Sequence, residues 1–175
     1  MNVVDVVTFQ AITFQTDNYL SVFLFYYVII SVGDRMGKRV SARAIIFDDD
    51  NIVLMFRRRK KEDGKYIEYY SLPGGGQEPN ETLYDTVIRE VYEEFNLKVI
   101  VLGYVGMVED EKSIQHFYHC EKLSGDIKLN GEEKDRNCKE NYYEPVEIPI
   151  EKIPHINLMF QDMIDKSLQN EYLNN

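Results

Sequence analysis

The residues of this sequence best suited to chemistry gather between Pro73 and Leu97. Glu90, Glu93 and Glu94 lie three and four residues apart on a stretch with helical periodicity. At 100° per residue their carboxylates fall within about 100° of arc. Glu90 with Glu93, and Glu90 with Glu94, are like-charge neighbours that repel by roughly 0.2–0.5 kcal/mol per pair. They also stand in the last turns, where the helix dipole disfavours anions by roughly 0.3–1 kcal/mol. A solvated acidic face is the plainest account of a glutamate-rich helix. A divalent cation is the other, because it reverses the sign of each repulsion. Hard oxygens clustered on a rigid element are what magnesium takes, alongside waters and phosphates. Gly74-Gly75-Gly76 shifts the balance toward the cation: bare backbone lets carbonyls and amides approach a ligand that bulkier residues would shield. Read alone, the three glycines are equally a tight turn.

These residues need elements to hold them. Arg39–Phe47 and Asn51–Arg57 are β-branched or apolar runs separated by Asp48-Asp49-Asp50, the pattern of a hairpin. A charged link over Lys60–Lys65 precedes a third strand at Tyr66–Leu72, and Pro73–Gly76 breaks regular structure. The helix is expected over Glu81–Phe95, with Asn80 as N-cap and Asn96 in the left-handed position past its end. Its apolar stripe is Leu83, Tyr84, Val87, Ile88, Val91 and Phe95, with the glutamates along one edge. Leu97–Glu109, Ser113–Lys122 and Tyr143–Ile150 read as further strands, Glu132–Glu140 as a polar loop and Leu158–Leu173 as a second helix. Strands and helices in this order make an α/β domain with a mixed sheet.

Thirty acidic against twenty basic residues give a formal charge of −10. A surface that negative repels nucleic acid polymers and anionic membranes, which leaves a small phosphorylated ligand provided a cation or a basic edge masks the field. Cys120 and Cys138 are the only cysteines, a usage that suits a reduced, cytoplasmic protein. His116, His119 and Cys120 invite a zinc reading, but on a strand His116 and Cys120 share a face opposite His119. Their spacing matches no common zinc pattern, so they are taken as structural.

Together these residues resemble the Nudix hydrolase family, whose signature is G-x5-E-x7-R-E-U-x-E-E-x-G-U with U a bulky aliphatic. Here Gly75 is followed after five residues by Glu81, and after seven more by Arg89-Glu90-Val91-Tyr92-Glu93-Glu94-Phe95-Asn96-Leu97. Only Asn96 departs, and Asn is the next residue after Gly to accept positive φ. Ser71-Leu72-Pro73-Gly74-Gly75 also looks like the approach to the family's box. The resemblance implies an α/β/α sandwich over residues 37–175 and hydrolysis of a phosphoanhydride bond in a nucleoside diphosphate-linked, small-molecule substrate. It implies Mg2+ held by Glu90, Glu93, Glu94 and the carbonyl of Gly74, with Mn2+ able to substitute. Glu90 would also be a candidate base, and Glu81 would anchor the loop through Arg89. A homodimer is compatible with this reading. The rival is a Nudix-fold module that senses a nucleotide without cleaving it; such modules usually lose box glutamates, and this chain keeps them all.

Gly75 and Gly76 are the backbone positions expected to approach substrate. In so acidic a chain, Arg57 or Arg58 is the candidate for a phosphate contact, Glu140 or Glu144 for a further metal ligand, and Tyr66, Tyr69 or Tyr70 for a base-stacking ring. Lys112 stands where ADP-ribose hydrolases tend to place proline, and neither an NADH-type array nor a coenzyme A motif is visible. A nucleoside triphosphate cleaved to monophosphate and pyrophosphate is the remaining expectation.

Residues 1–36 stand apart as an apolar N-terminal extension. Between Met1 and Gly33 the only charges are Asp5 and Asp17, and Tyr19–Val32 is almost wholly apolar yet short of the ~20 residues of a membrane span. The segment reads as an element packed on the main domain, as a short anchor, or as an upstream extension of a chain whose working start is Met36. The third reading is preferred, because Met36-Gly37-Lys38-Arg39 leads directly into the first clear strand. Its expected outcome is an intact mass beginning at Met36 for protein purified from the native host; a full-length mass disposes of it.

Overall fold

The computed structural model describes residues 12–16, 19–23 and 37–173. Two compact units are distinguished, Met1–Arg35 and Met36–Asn175. In the first, β1 (Ile12–Thr16) and β2 (Tyr19–Phe23) pair antiparallel with Thr16 opposite Tyr19. The remainder of residues 1–36, including most of the apolar run, lies outside the described residues.

The second unit is built on a seven-stranded mixed sheet. Its strands are β3 (Arg39–Asp48), β4 (Asn51–Lys60), β5 (Tyr66–Ser71), β6 (Gly74–Gly76), β7 (Lys98–Glu109), β8 (Ser113–Ser124) and β9 (Asn141–Pro149). The path runs β5-β4-β3-β8-β7, with β6 added to β3 and β9 to β4. β3 and β8 run parallel, and the other pairs are antiparallel. β3 and β4 pair only at their tips, Phe47 with Ile52 and Asp48 with Asn51, and then diverge. The glycine strand β6 takes the place beside β3 that β4 vacates, setting Gly74 opposite Arg43 and Gly76 opposite Ser41. The break expected over Pro73–Gly76 is therefore a short strand, because bare backbone can pair where a side chain would collide. A Cβ on Gly74 would lie 2.2 Å from the carbonyl oxygen of Ala42, and its φ of +137° excludes other residues in any case.

Helix α1 (Leu83–Phe95) covers one face of the sheet, while α3 (Gln161–Leu173) and a 3-10 turn at Ile150–His155 cover the other. Alternation along the strands feeds both layers. Ala42, Ala44, Ile46, Val53, Met55, Tyr118 and Cys120 pack beneath α1 with Val87, Val91 and Phe95. Ile45, Ile52, Leu54 and Phe117 pack toward Ile153 and Ile164. Strands buried on both sides read as continuous apolar runs, which is how they appear in the sequence. The result is the α/β/α sandwich that the resemblance implied. Among the described residues no helix is long and apolar enough to cross a membrane.

Three further expectations change. The N-cap of α1 is Thr82, whose hydroxyl accepts from Asp85 N while the Asp85 carboxylate accepts from Thr82 N; Asn80, at φ 67°, bends the preceding loop instead. The buried stripe of α1 is rotated toward the glutamates: Thr86 and Glu94 are buried, and Tyr84 and Ile88 face solvent. Within the loop expected at Glu132–Glu140, a one-turn helix α2 (Gly131–Asp135) forms. Asn96 does occupy the left-handed position, at φ 58° and ψ 27°, and its N–H closes onto Tyr92 O. Asn96→Gly is accordingly expected to leave unfolding free energy within about 0.5 kcal/mol of wild type, and Asn96→Ala to cost about 1 kcal/mol, by chemical denaturation. Equal cost for both substitutions would remove the conformational argument.

Candidate active site

The glycine strand and the C-terminal half of α1 meet through Glu94. Gly74 N donates to Glu94 Oε2 at 3.0 Å, and Arg57 Nη2 lies 3.6 Å from Oε1. Arg57 is itself held by Ser71 Oγ at 2.9 Å and lies over the ring of Tyr143. Glu94 is only 4% exposed. Burial drives its carboxyl up to about 8; the Gly74 amide and Arg57 oppose the shift, while Glu133 and Glu90 add to it.

Glu90 lies against the next glycine. A Cβ on Gly75 would come within 2.5 Å of both Glu90 oxygens, so only glycine leaves room for this carboxylate as it stands. Burial raises its pKa as well, and the adjacent Arg89 opposes that shift. Glu93, half-exposed, reaches the same guanidinium at 3.0 Å.

Arg89 joins these groups. Its Nε and Nη2 clasp Glu81 at 2.7 and 3.0 Å, Nη2 also reaches the Gly76 carbonyl at 2.9 Å, and Nη1 serves Glu90 at 2.8 Å as well as Glu93. This two-pronged clasp holds the Glu81 carboxyl down at about 2, and burial only partly offsets it. Glu81 also accepts from Glu78 N and from Thr86 Oγ1. The anchoring pair expected between Glu81 and Arg89 is present in the structure.

A cleft of about 780 Å³ opens over these groups. Arg57, Gly74, Gly75, Arg89 and the three glutamates of α1 line it. Gly76 contributes its carbonyl to Arg89 but stands outside the lining. Arg58 is on the opposite face of β4, stacked between the rings of Tyr66 and Tyr142, because neighbours on a strand point to opposite sides. Glu140 and Glu144 also fall outside the cleft, Glu144 accepting from the Tyr142 hydroxyl. The additional acidic groups are Glu78, in the loop ahead of α1, and Glu132 and Glu133 of α2. None of Tyr66, Tyr69 and Tyr70 lines the cleft; Tyr70 packs on Phe56.

Sequence reasoning passed over Arg39, Ser41, Arg43 and Gln115, which also line the cleft. A signal was available: polar residues at alternate positions open a strand that is otherwise apolar. The two α2 glutamates had none, since only the return of the chain after β8 brings Gly131 against Glu93 O.

The donor set fits a hard divalent cation in its chemistry. Glu90 and Glu94 are carboxylates whose charged form burial disfavours, and a glycine backbone adjoins both. Their present geometry is a different matter. Among the described residues no three acidic, histidine or cysteine groups converge on one point. Arg89 draws Glu90 and Glu93 to itself, and Glu94 is turned toward Gly74 N and Arg57. Binding of an ion therefore requires these side chains to turn.

Residues 37–160 match the model of the NUDIX domain. The fold is similar to an ADP-ribose pyrophosphatase from Streptococcus suis (TM-score 0.53, 21% identity, covering 76% of this chain and 91% of that one). It is also similar to a MutT NUDIX hydrolase from Burkholderia pseudomallei (0.58, 20%, 74% and 97%) and to a UDP-X diphosphatase (0.59, 18%, 85% and 70%). At these identities the likeness bears on the fold alone. No curated protein matches the sequence.

The raised pKa of Glu94 has a definite sign in stability. Between its ordinary value of 4.5 and about 8, the folded protein without metal holds a proton that the unfolded chain has released. Stability from this group is thus complete below that window and is lost as pH rises through it. From about pH 5 to pH 9 the melting temperature of metal-free wild type should fall further than that of Glu94→Gln, by several degrees. Magnesium should restore the wild type at the alkaline end and not the variant. Parallel pH curves for the two proteins would contradict the burial argument.

Proposed function

Because the chain belongs to the Nudix hydrolase family, we propose that it hydrolyses a phosphoanhydride bond in a nucleoside diphosphate-linked compound, with magnesium bound by Glu90, Glu93, Glu94 and the Gly74 carbonyl. The unit proposed to carry this activity is residues 37–175, with residues 1–36 outside it. The observation that supports the reading best is the pair of desolvated carboxylates, Glu90 and Glu94, set against Gly75 and Gly74 in a cleft that also contains arginines. The names of two structures similar in fold, a pyrophosphatase and a diphosphatase, agree with a diphosphate link as the target.

Magnesium, when bound, supplies neutralisation of the diphosphate, activation of water and stabilisation of the leaving oxygen. The chain's own residues do the rest. Arg57, braced by Ser71 and Tyr143, presents a cation beside Glu94 that could take a phosphate oxygen. Arg89 keeps Glu90 and Glu93 on the cleft side of α1 and ties them to the glycine strand through Gly76 O. A Glu94 carboxyl that titrates near 8 can hold a proton at neutral pH in the metal-free protein, and would give it up as a ligand.

A panel of nucleotides with magnesium, followed by release of phosphate and pyrophosphate, tests the reading. Glu93→Gln and Glu94→Gln are each expected to lower turnover by at least about tenfold. Equal turnover in the variants rejects the metal site. An inert wild type on a broad panel points to the nucleotide-sensing module instead.

A further inference from the structure

Phe160 holds a backbone conformation that a bulky aromatic residue rarely adopts. Its φ is 63°, in the left-handed region, immediately ahead of α3. The other non-glycine residues described with positive φ are Asp49, Asn80 and Asn96, whose short polar side chains tolerate that region. The fold imposes the turn on Phe160 from both sides. Met159 N donates to Tyr70 O at 3.0 Å, which pins the preceding chain to β5, and Met163 N donates to Phe160 O at 3.0 Å, which opens the helix. Strain of this kind persists only where the surroundings over-determine it, and it clusters at functional sites.

The Phe160 ring touches two partners. One is the fully buried Phe117, at 5.1 Å between ring centroids. The other is the guanidinium of Arg43, whose Cζ stands 5.7 Å over the ring centroid. Arg43 and Phe117 are register partners on β3 and β8, so Phe160 marks where the apolar layer beneath α3 gives way to the cleft. Arg43 lines that cleft and Phe160 does not.

Arg43 is otherwise held by neutral oxygens. Its Nε donates to Gln115 Oε1 at 2.6 Å, and its Nη1 to the carbonyls of Leu72 and Gly74 at 3.1 and 3.3 Å. Among the described residues it makes no ion pair, and its Nη2 makes no hydrogen bond. The guanidinium is thus fixed at its edge by hydrogen bonds and on its face by a ring, with its charge uncancelled and one nitrogen left over. An arginine so prepared receives a phosphate oxygen with little further ordering.

We propose that Phe160 is a positioning residue: its ring, set by the strained turn before α3, holds the Arg43 guanidinium in the orientation in which it takes a phosphate oxygen of the substrate. Neither residue belongs to the glycine-and-glutamate box, and Phe160 acts without touching the substrate. This rests on the phosphoanhydride hydrolase reading above and extends the site to the start of α3.

Calorimetric binding of inorganic pyrophosphate, with magnesium present, tests the proposal without turnover. Leucine bears the same backbone strain as phenylalanine, so Phe160→Leu removes the aromatic face and little else. It should weaken pyrophosphate about fivefold, and Arg43→Met about tenfold or more. Phe160→Tyr should recover most of what leucine loses. In the double variant, pyrophosphate should bind within about twofold of Arg43→Met alone, because the guanidinium through which the ring acts is gone. With a nucleotide that wild type cleaves, Phe160→Leu should raise KM about fivefold and leave kcat within about twofold. A general loosening of the fold would lower kcat as well. Should Phe160→Leu fail to fold, Phe160→Met, unbranched and adaptable, takes its place. If pyrophosphate gives no heat, the comparison of KM decides. Unchanged binding in Phe160→Leu, the same loss repeated in the Arg43→Met background, or a fall in kcat with KM unchanged overturns the proposal. Hydrolysis indifferent to Phe160 overturns it while leaving the hydrolase reading intact. Pyrophosphate binding that depends on Phe160 through Arg43, in a protein that cleaves no nucleotide, does the reverse.

Discussion

The guanidinium of Arg89 ties the approach to α1, the helix itself and the glycine strand into one body. It clasps Glu81 just ahead of the helix, Glu90 and Glu93 along it, and the Gly76 carbonyl across from it. Without that cation, Glu90 and Glu93 would repel each other one turn apart on the helix, with the Glu81 carboxylate brought beside them. With it, Glu81 is held ionised at about 2 and fully used, while Glu90 and Glu93 are restrained but still able to turn. The clamp therefore separates a structural carboxylate from those free to act. The separation follows from geometry: one guanidinium edge, Nε with Nη2, faces Glu81, and Nη1 alone is shared by the other two.

A second constraint is the burial of Glu94. A carboxyl that titrates near 8 is an unfavourable object inside a sandwich core, and the Gly74 amide and Arg57 offset its burial only in part. The rotation of α1 is the structural expression of this arrangement. Turning Glu94 and Thr86 inward turns Tyr84 and Ile88 outward, where Tyr84 rests its ring against the buried Tyr118. Apolar burial alone would have favoured the opposite rotation, with both of those side chains in the core. The helix thus retains an ionisable carboxyl near the sheet at some expense in apolar packing, the kind of local conflict expected where a site is built.

The cleft resolves the paradox of a phosphate ligand on a chain with a charge of −10. Its carboxylates lie on α1, on α2 and at Glu78 in the loop between β6 and α1, and β3 contributes Arg39 and Arg43, which make no ion pair with them among the described residues. A cation bound on the acidic side and phosphates on the basic side satisfy both without requiring the surface as a whole to attract anions.

What the sequence determined by itself is whatever depends on neighbours along the chain. The box from Gly75 to Leu97, the Glu81–Arg89 pairing and the left-handed turn at Asn96 are local, because a helix places residues by spacing alone. The strands were legible too, since those buried on both faces read as unbroken apolar runs. The N-cap was missed because Asn80 and Thr82 are both capping residues two positions apart, and only backbone angles distinguish them. Tertiary structure decided everything that depends on which strands meet. The divergence of β3 from β4 admits the glycine strand and sets Gly74 across from Arg43, so Arg39, Arg43 and Gln115 join the site from outside the box. It also sent Arg57 into the cleft and Arg58 away from it, a choice of strand face that adjacent arginines in a sequence leave open.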